Sequence, residues 1–377
     1  MRIIFISNAI TPHQIPLCDE LASMYHTDFI FIESINLNKD TLPVGWRVSC
    51  DREYVISYGQ LTANLQEYIK KILSADAVIF GSGDFSLIKQ RLAANKLTFI
   101  YSERIYRNWR ERVKYPFHLF KFNIMYRHSK ELFLLCAGAF SAKDYNSLGL
   151  FRDKAFKWGY FTRIESPIET SQRNDTSIKN GKVYILWCAR FILLKHPELA
   201  VKLAKKLKNN GYEFQLDMIG TGDQFDYIKQ MIDEYGISDV VNLLGSQSND
   251  EVYRQMKSHD IFLFTSDQNE GWGAVSNESM SNGCVLVASD KIGSTPYLIK
   301  NGENGMIFKS ESIDSLYEKV KYLLDNPDKR KEMSRKGIDT IVNLWSPKNA
   351  AQSLSTLIND LLNHRRPSIP EGPCSKA

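Results

Sequence analysis

Short, largely apolar runs alternate along this chain with longer stretches in which apolar positions return every three or four residues. Runs of the first kind are Ile3–Ile6, Phe29–Ile32, Ala77–Phe80, Thr98–Tyr101, Leu132–Cys136 and Ala155–Trp158. A strand with one wet face alternates polar and apolar residues; these do not, so they predict a parallel sheet covered on both faces. Between them His13–Tyr25 sets Ile15, Cys18, Leu21, Ala22 and Tyr25 at helical spacing, and Leu61–Leu73 and Phe85–Ala94 predict further helices. From Ser166 to Lys182 the chain turns polar, as an inter-domain linker does. The alternation then restarts. Val183–Cys188, Phe214–Ile219, Val240–Leu244, Ile261–Phe264, Val285–Ala288 and Gly305–Phe308 predict strands. His196–Asn209, Phe225–Tyr235, Asp250–Ser258, Ala274–Asn282, Ser312–Leu324 and Pro327–Leu344 predict helices, and Pro347 opens a last one running to Asn363. Arg365–Ala377, rich in Pro, Ser and charge, predicts a disordered tail. The pattern gives an α/β chain of two doubly wound, Rossmann-like domains, 1–165 and 183–345, joined by a linker at 166–182. A helix at 346–364 and the tail at 365–377 follow.

Composition narrows the class without naming a function. Across 377 residues, 48 Lys and Arg nearly balance 43 Asp and Glu, leaving +5, too mild a charge to predict nucleic acid as a partner. Six cysteines lie singly, with no spacing suited to zinc, and read as reduced thiols of a cytoplasmic protein. Met1–Ser7 enters a strand directly rather than a signal peptide, and no apolar run reaches the ~20 residues of a membrane span. The expectation is a cytoplasmic protein, soluble or peripheral at the inner membrane face, with no metal and no bound cofactor.

The densest chemistry lies between Phe264 and Ala288. There a strand ends, a loop carries Glu270, Gly271 and Gly273, a helix begins near Gly273, and another apolar strand follows. The backbone amides of Trp272, Gly273, Ala274 and Val275 are then helix-start donors for a diphosphate. Glu278, one turn on, is placed to accept both hydroxyls of a ribose, and Glu270 the hydroxyls of a sugar. Upstream, Arg190 and Lys195 follow the first strand of the second domain. Ile219-Gly220-Thr221-Gly222-Asp223 is a G-x-G turn between strand and helix. It lacks the third glycine of the dinucleotide fingerprint, which argues against a nicotinamide enzyme.

Glu270 and Glu278, within Glu-Gly-Trp-Gly and Glu-Ser-Met-Ser-Asn-Gly-Cys, resemble the E-x7-E motif of the retaining, GT-B family 4 (group 1) glycosyltransferases. Ser279 and Val285 depart from the family's usual Ala and Pro, and His196 from the Gly that commonly follows the lysine. The resemblance implies two domains facing across a cleft, with the last helix crossing back to the N-terminal, acceptor-binding one. It implies a nucleotide diphosphate sugar as donor, no metal, and catalysis by Glu270, Arg190 and Lys195. Donor contacts would come from Glu278, Gly271, Trp272, Gly273, Ala274, Val275, Gly220, Gly222 and Ser246. The acceptor would be a saccharide or lipid-linked, within bacterial surface-polysaccharide assembly: capsule, exopolysaccharide or lipopolysaccharide.

The first domain resembles the family by architecture only. His13, after Thr11-Pro12, reads either as a contact to acceptor or phosphate or as a capping and packing residue. Glu103 and Arg104 stand where many relatives place a histidine beside the donor sugar, and read otherwise as a surface pair. From 104 to 130, basic residues interleave with aromatics and only Glu111 opposes them. That segment is a candidate for peripheral contact with an anionic membrane, or an ordinary helix with solvated charges. Rival functions are a GT-B sugar-nucleotide epimerase and a non-catalytic nucleotide-sugar-binding protein.

Overall fold

The computed structural model describes residues 1–37, 52–126, 129–164 and 181–377, except for the Trp109 side chain. The expected linker lies outside the described residues up to residue 180, as do Cys50 and Arg127. The chain divides into two units, Met1–Arg163 with Leu344–Ala377, and Ile164–Asn343.

In the first unit the strands are β1 (Ile3–Ser7), β2 (Phe29–Glu33), β3 (Val55–Ile56), β4 (Ala77–Phe80), β5 (Thr98–Ser102), β6 (Leu132–Ala137) and β7 (Ala155–Trp158). They form one parallel sheet in the order β3-β2-β1-β4-β5-β6-β7. Ile3 faces Phe29 on one side and Ala77 on the other. Central β1, β4 and β6 are buried along their whole length, which is why their sequences are unbroken apolar runs. The second unit holds β8 (Val183–Cys188), β9 (Phe214–Ile219), β10 (Val241–Gly245), β11 (Ile261–Phe264), β12 (Val285–Ser289) and β13 (Met306–Phe308). These too are parallel, in the order β10-β9-β8-β11-β12-β13. Both sheets are doubly wound, so each has a point where the strand order reverses: between β1 and β4, and between β8 and β11. Ligands of open α/β sheets bind beyond the carboxyl ends of strands at that point.

Each unit has its own apolar core. The helix Pro197–Asn209 shows how the sequence builds one. Pro197 opens it, Leu199, Ala200, Val201, Leu203, Ala204 and Leu207 are buried, and its lysines point outward. Burying each of the larger side chains contributes about 1.5–3 kcal/mol.

Several elements differ from the sequence expectation. Leu61–Leu73 is two helices, Tyr58–Ala63 and Leu65–Ser74. A capping box between Ser57 and Gln60 starts the first early, and Asn64 leaves helical geometry at ψ 36°. Pro327–Leu344 ends its α-helix at Asp339 and continues as a π-helical turn, Thr340–Leu344. The short elements β3, Ser141–Ser147 and Thr295–Leu298 have too few residues to show a period.

The tail is the main correction: 365–377 is ordered, not disordered. The Cys374 amide donates to the Lys157 carbonyl at 2.7 Å, Lys157 to Ser375 at 2.8 Å, and Ala377 to Ala155 at 3.0 Å. Cys374 is fully buried. Composition underestimates this segment because its partners are unpaired backbone groups on edge strand β7, which ask for no particular side chain. The preceding helix, Pro347–Leu362, packs on Ile15–Tyr25, where the Tyr25 and Ser355 hydroxyls meet.

Candidate active site

In the second unit the loops after β8 and β11 meet at the strand-order reversal. Thr265 Oγ1 donates to the Lys195 carbonyl at 2.6 Å and accepts the Trp187 indole N–H at 2.9 Å. The Asp267 amide donates to the Leu194 carbonyl at 3.0 Å. Across this seam the Lys195 ammonium pairs with the Glu270 carboxylate, both largely shielded from solvent. The ammonium also lies 5.6 Å from the centre of the Phe264 ring. Two of the expected catalytic residues are thus in direct contact.

Arg190 is exposed and pairs with no carboxylate among the described residues. Its loop is rigidly based: Phe191 is wholly buried between Trp187 and Phe225, at 4.8 and 5.1 Å. Gly220 and Gly222 lie directly beneath. The Phe191 amide donates to the Thr221 carbonyl at 2.9 Å, and a Cβ on Gly220 would fall 1.9 Å from the Ala189 carbonyl oxygen. These glycines let two backbones touch, and so position Arg190. Ser246 is exposed just past edge strand β10, beside the Gly220 turn, whose amide donates to the Gly245 carbonyl at 2.8 Å.

The helix expected near Gly273 opens at Val275. Gly273 has φ +76°, a left-handed conformation incompatible with helix, and a Cβ there would meet the Phe264 ring at 2.3 Å. The amides of Trp272 and Gly273 therefore belong to a loop, while Ala274 caps the helix ahead of Val275. Gly271 is buried, and its carbonyl accepts the Gly293 amide at 2.9 Å. The Trp272 side chain is fully buried, its indole N–H held by Asn277 at 2.8 Å, so only its backbone can face a ligand. Glu278 accepts from the Tyr253 hydroxyl at 3.3 Å. Burial pushes its carboxyl up to about 7, against the pull of that hydrogen bond. Cys188, at the end of β8, senses both sides of the site. Burial and the nearby Glu278 push its thiol up to about 12, and Lys195 draws it down.

In the first unit a cavity of about 330 Å³ opens beyond β1, β4 and β5, with His13, Glu103, Tyr160 and Ser82 in its wall. His13 stacks on Tyr160 at 5.8 Å, and burial holds its imidazole down at about 4. Glu103 accepts from the Tyr160 hydroxyl at 2.7 Å and pairs with Arg107. Arg104 is not in that wall: its guanidinium lies over the Phe140 ring at 4.9 Å and 3.9 Å from Asp144. Of these two candidates, Glu103 lies in the cavity wall and Arg104 does not.

Tyr160, Tyr253, Cys188, Asp267 and Thr265 escape the sequence reading because each acts through the fold, far along the chain from the group it touches. His196 carried a signal. It follows Lys195 with φ 48° and ψ 54°, left-handed geometry that glycine adopts freely. Its Nδ1 is hydrogen-bonded to Glu198 at 2.8 Å and its Nε2 lies 3.5 Å from Asp267, and the two carboxylates, Asp267 foremost, raise its pKa to about 10. Among the described residues no group of three or more His, Cys, Asp or Glu is placed to hold a metal ion, and no helix is long and apolar enough to cross a membrane.

A family model described as "Glycosyl transferases group 1" matches residues 168–340. The chain is 24% identical over 202 residues to a poly(glycerol-phosphate) alpha-glucosyltransferase of Bacillus subtilis, a match covering 54% of this chain and 29% of that protein. With an uncharacterized glycosyltransferase of Haemophilus influenzae it shares 24% over 204 residues, 52% of this chain and 56% of the relative. The chain thus spans less than two thirds of the length of these curated relatives. Among solved structures, the Anabaena HepE protein in complex with UDP is similar over 96% of this chain and all of its own, with TM-score 0.68 and 14% identity. The lipopolysaccharide outer core galactosyltransferase WaaB is similar over 94% of this chain and all of its own, with TM-score 0.67 and 16% identity. With its two doubly wound parallel sheets the chain has the GT-B fold, and residues 168–340 are similar to the group 1 glycosyl transferases.

Proposed function

We propose that this protein is a retaining, metal-independent glycosyltransferase of family 4, moving a sugar from a nucleotide diphosphate sugar to a hydroxyl acceptor. The observation that carries this is the shielded Lys195–Glu270 pair at the strand-order reversal of the second unit, with Glu278 close by. Before donor binds, the pair satisfies both charges. With donor present, Lys195 and Arg190 take the diphosphate and stabilise the charge that develops as it leaves. Glu270 turns to the sugar hydroxyls, and Glu278 accepts from the ribose. Retention follows if the leaving phosphate assists the incoming hydroxyl on the same face of the sugar. The acceptor, a saccharide or lipid-linked one, would use the His13–Glu103 cavity. The names of the Bacillus relative and of WaaB support a role in bacterial surface-polysaccharide assembly. The basic, aromatic segment 104–130 would then meet the anionic inner face of the membrane.

The test is a thermal-shift screen against UDP-, GDP-, dTDP- and ADP-sugars, in magnesium and in EDTA, followed by turnover with candidate acceptors. We expect a shift from one nucleotide in both buffers, absent in Arg190→Ala. Glu270→Ala should lower turnover by about 10²–10³-fold with the fold intact. Interconversion of donor epimers without nucleotide release would instead favour the epimerase. Unaltered turnover in Glu270→Ala would sink the proposed role of this site.

A further inference from the structure

The helix Tyr115–Tyr126 has two unlike faces. On one, His118, Phe122 and Tyr126 stack at 5.3 and 5.7 Å, and Tyr106 lies 5.6 Å from His118. On the other, Phe117, Phe120 and Ile124 are 61%, 70% and 62% exposed, and Val113, at the end of Trp109–Val113, is 70% exposed. Spacings of three and four put the helical three on one stripe. Single exposed apolar residues are ordinary, but an aligned set of large ones marks a contact surface.

The charges around the stripe have one sign. Arg110, Arg112, Lys114 and Lys121 are exposed, and the lone acid of this segment, Glu111, accepts the Arg107 amide at 2.7 Å. Ile124 belongs to both the stripe and the wall of an apolar cavity of about 400 Å³. Phe85, Leu92, Ala93, Met125 and Ser129 line the same cavity, and among the described residues its only charged lining residue is Lys89, which is exposed.

We propose that this cavity takes an acyl chain of an anionic phospholipid, with Lys89 meeting the phosphate. The assignment rests on the membrane reading above and deepens it. A largely apolar cavity continuous with an exposed apolar stripe, flanked by Lys89, Arg110, Arg112, Lys114 and Lys121, suits a lipid of the bilayer surface better than a soluble polar ligand. A bilayer seated on the stripe would present its chains at Ile124.

Two measurements separate the cavity from the surface. Binding of dihexanoyl phosphatidylglycerol, below its micelle concentration, is followed by calorimetry. Co-sedimentation with phosphatidylglycerol-containing vesicles is followed in parallel. We expect saturable binding of the monomeric lipid, weakened about tenfold by Ala93→Trp, which fills the cavity, and by Lys89→Glu, with thermal midpoints unchanged. The double variant Phe117→Glu/Phe120→Glu should lose vesicles and keep monomeric lipid. Vesicle binding without monomer binding, or monomer binding untouched by both cavity variants, overturns the cavity assignment and leaves the membrane reading standing. Failure of the unaltered protein to bind vesicles overturns both.

Discussion

Glu278 is a carboxyl group that burial holds near neutrality, since little but the Tyr253 hydroxyl favours its charged form. In the proposed role, a ribose donating two hydroxyls needs the ionised form. Below about pH 7 the folded protein carries the proton, and donor binding must release it. The donor dissociation constant should therefore rise as pH falls through 7, by up to about tenfold per unit, and be nearly flat above it. Glu278→Gln should bind more weakly and show no such slope. A flat profile in the unaltered protein from pH 5.5 to 8.5 would remove Glu278 from donor binding. Glu278 was a candidate from its place in the motif; its proton affinity was not legible, because that depends on Tyr253 and on burial. His196 is similar. Its departure from the family's glycine was visible, but the ion pairs that hold it in left-handed geometry needed Asp267 brought alongside.

Among elements, the turn Gly220–Gly222 shows how a weak sequence signal acquires a definite role. In sequence it was a G-x-G bordering the donor. In space it is the floor of the loop that carries Arg190, with no room for a single Cβ. Gly220→Ala combines that clash with φ +132° and should cost about 1–3 kcal/mol. The Ala189–Phe191 backbone must then shift, and donor KM should rise about tenfold in protein that is still folded by circular dichroism. An unchanged KM would mean that Arg190 does not depend on this floor. Strands were the most legible elements, since burial on both faces leaves no choice but apolar residues. The break at Asn64 and the bridge from the tail to β7 were not, because local hydrogen bonds and an unpaired sheet edge decide them.

Over the whole molecule, two cores predict two cooperative transitions on heating. On the proposed assignment of Arg190, Lys195 and Glu278 to the donor, UDP should raise the transition of the second unit. The gain is about 2.7 kcal/mol at a concentration one hundred times its dissociation constant. Differential scanning calorimetry with and without UDP checks this; an equal shift of both transitions would show that the units unfold as one. The division into two α/β halves was readable from where the alternation of strands and helices restarts. In the first unit His13 and Glu103 were named as candidates, but the cavity wall they share was not readable, because they meet only once Tyr160 comes beside both. The first unit is also discontinuous: its closing helix and tail, Leu344–Ala377, follow the second unit in the chain. During synthesis the apolar side of Ile15–Tyr25 and the open edge of β7 must wait for the ribosome to make all of Ile164–Asn343. At roughly 5–20 residues per second that delay is on the order of ten seconds or more. A unit whose strands are made before the second unit is thus finished only after it, and through that interval its apolar helix side and open strand edge stay exposed.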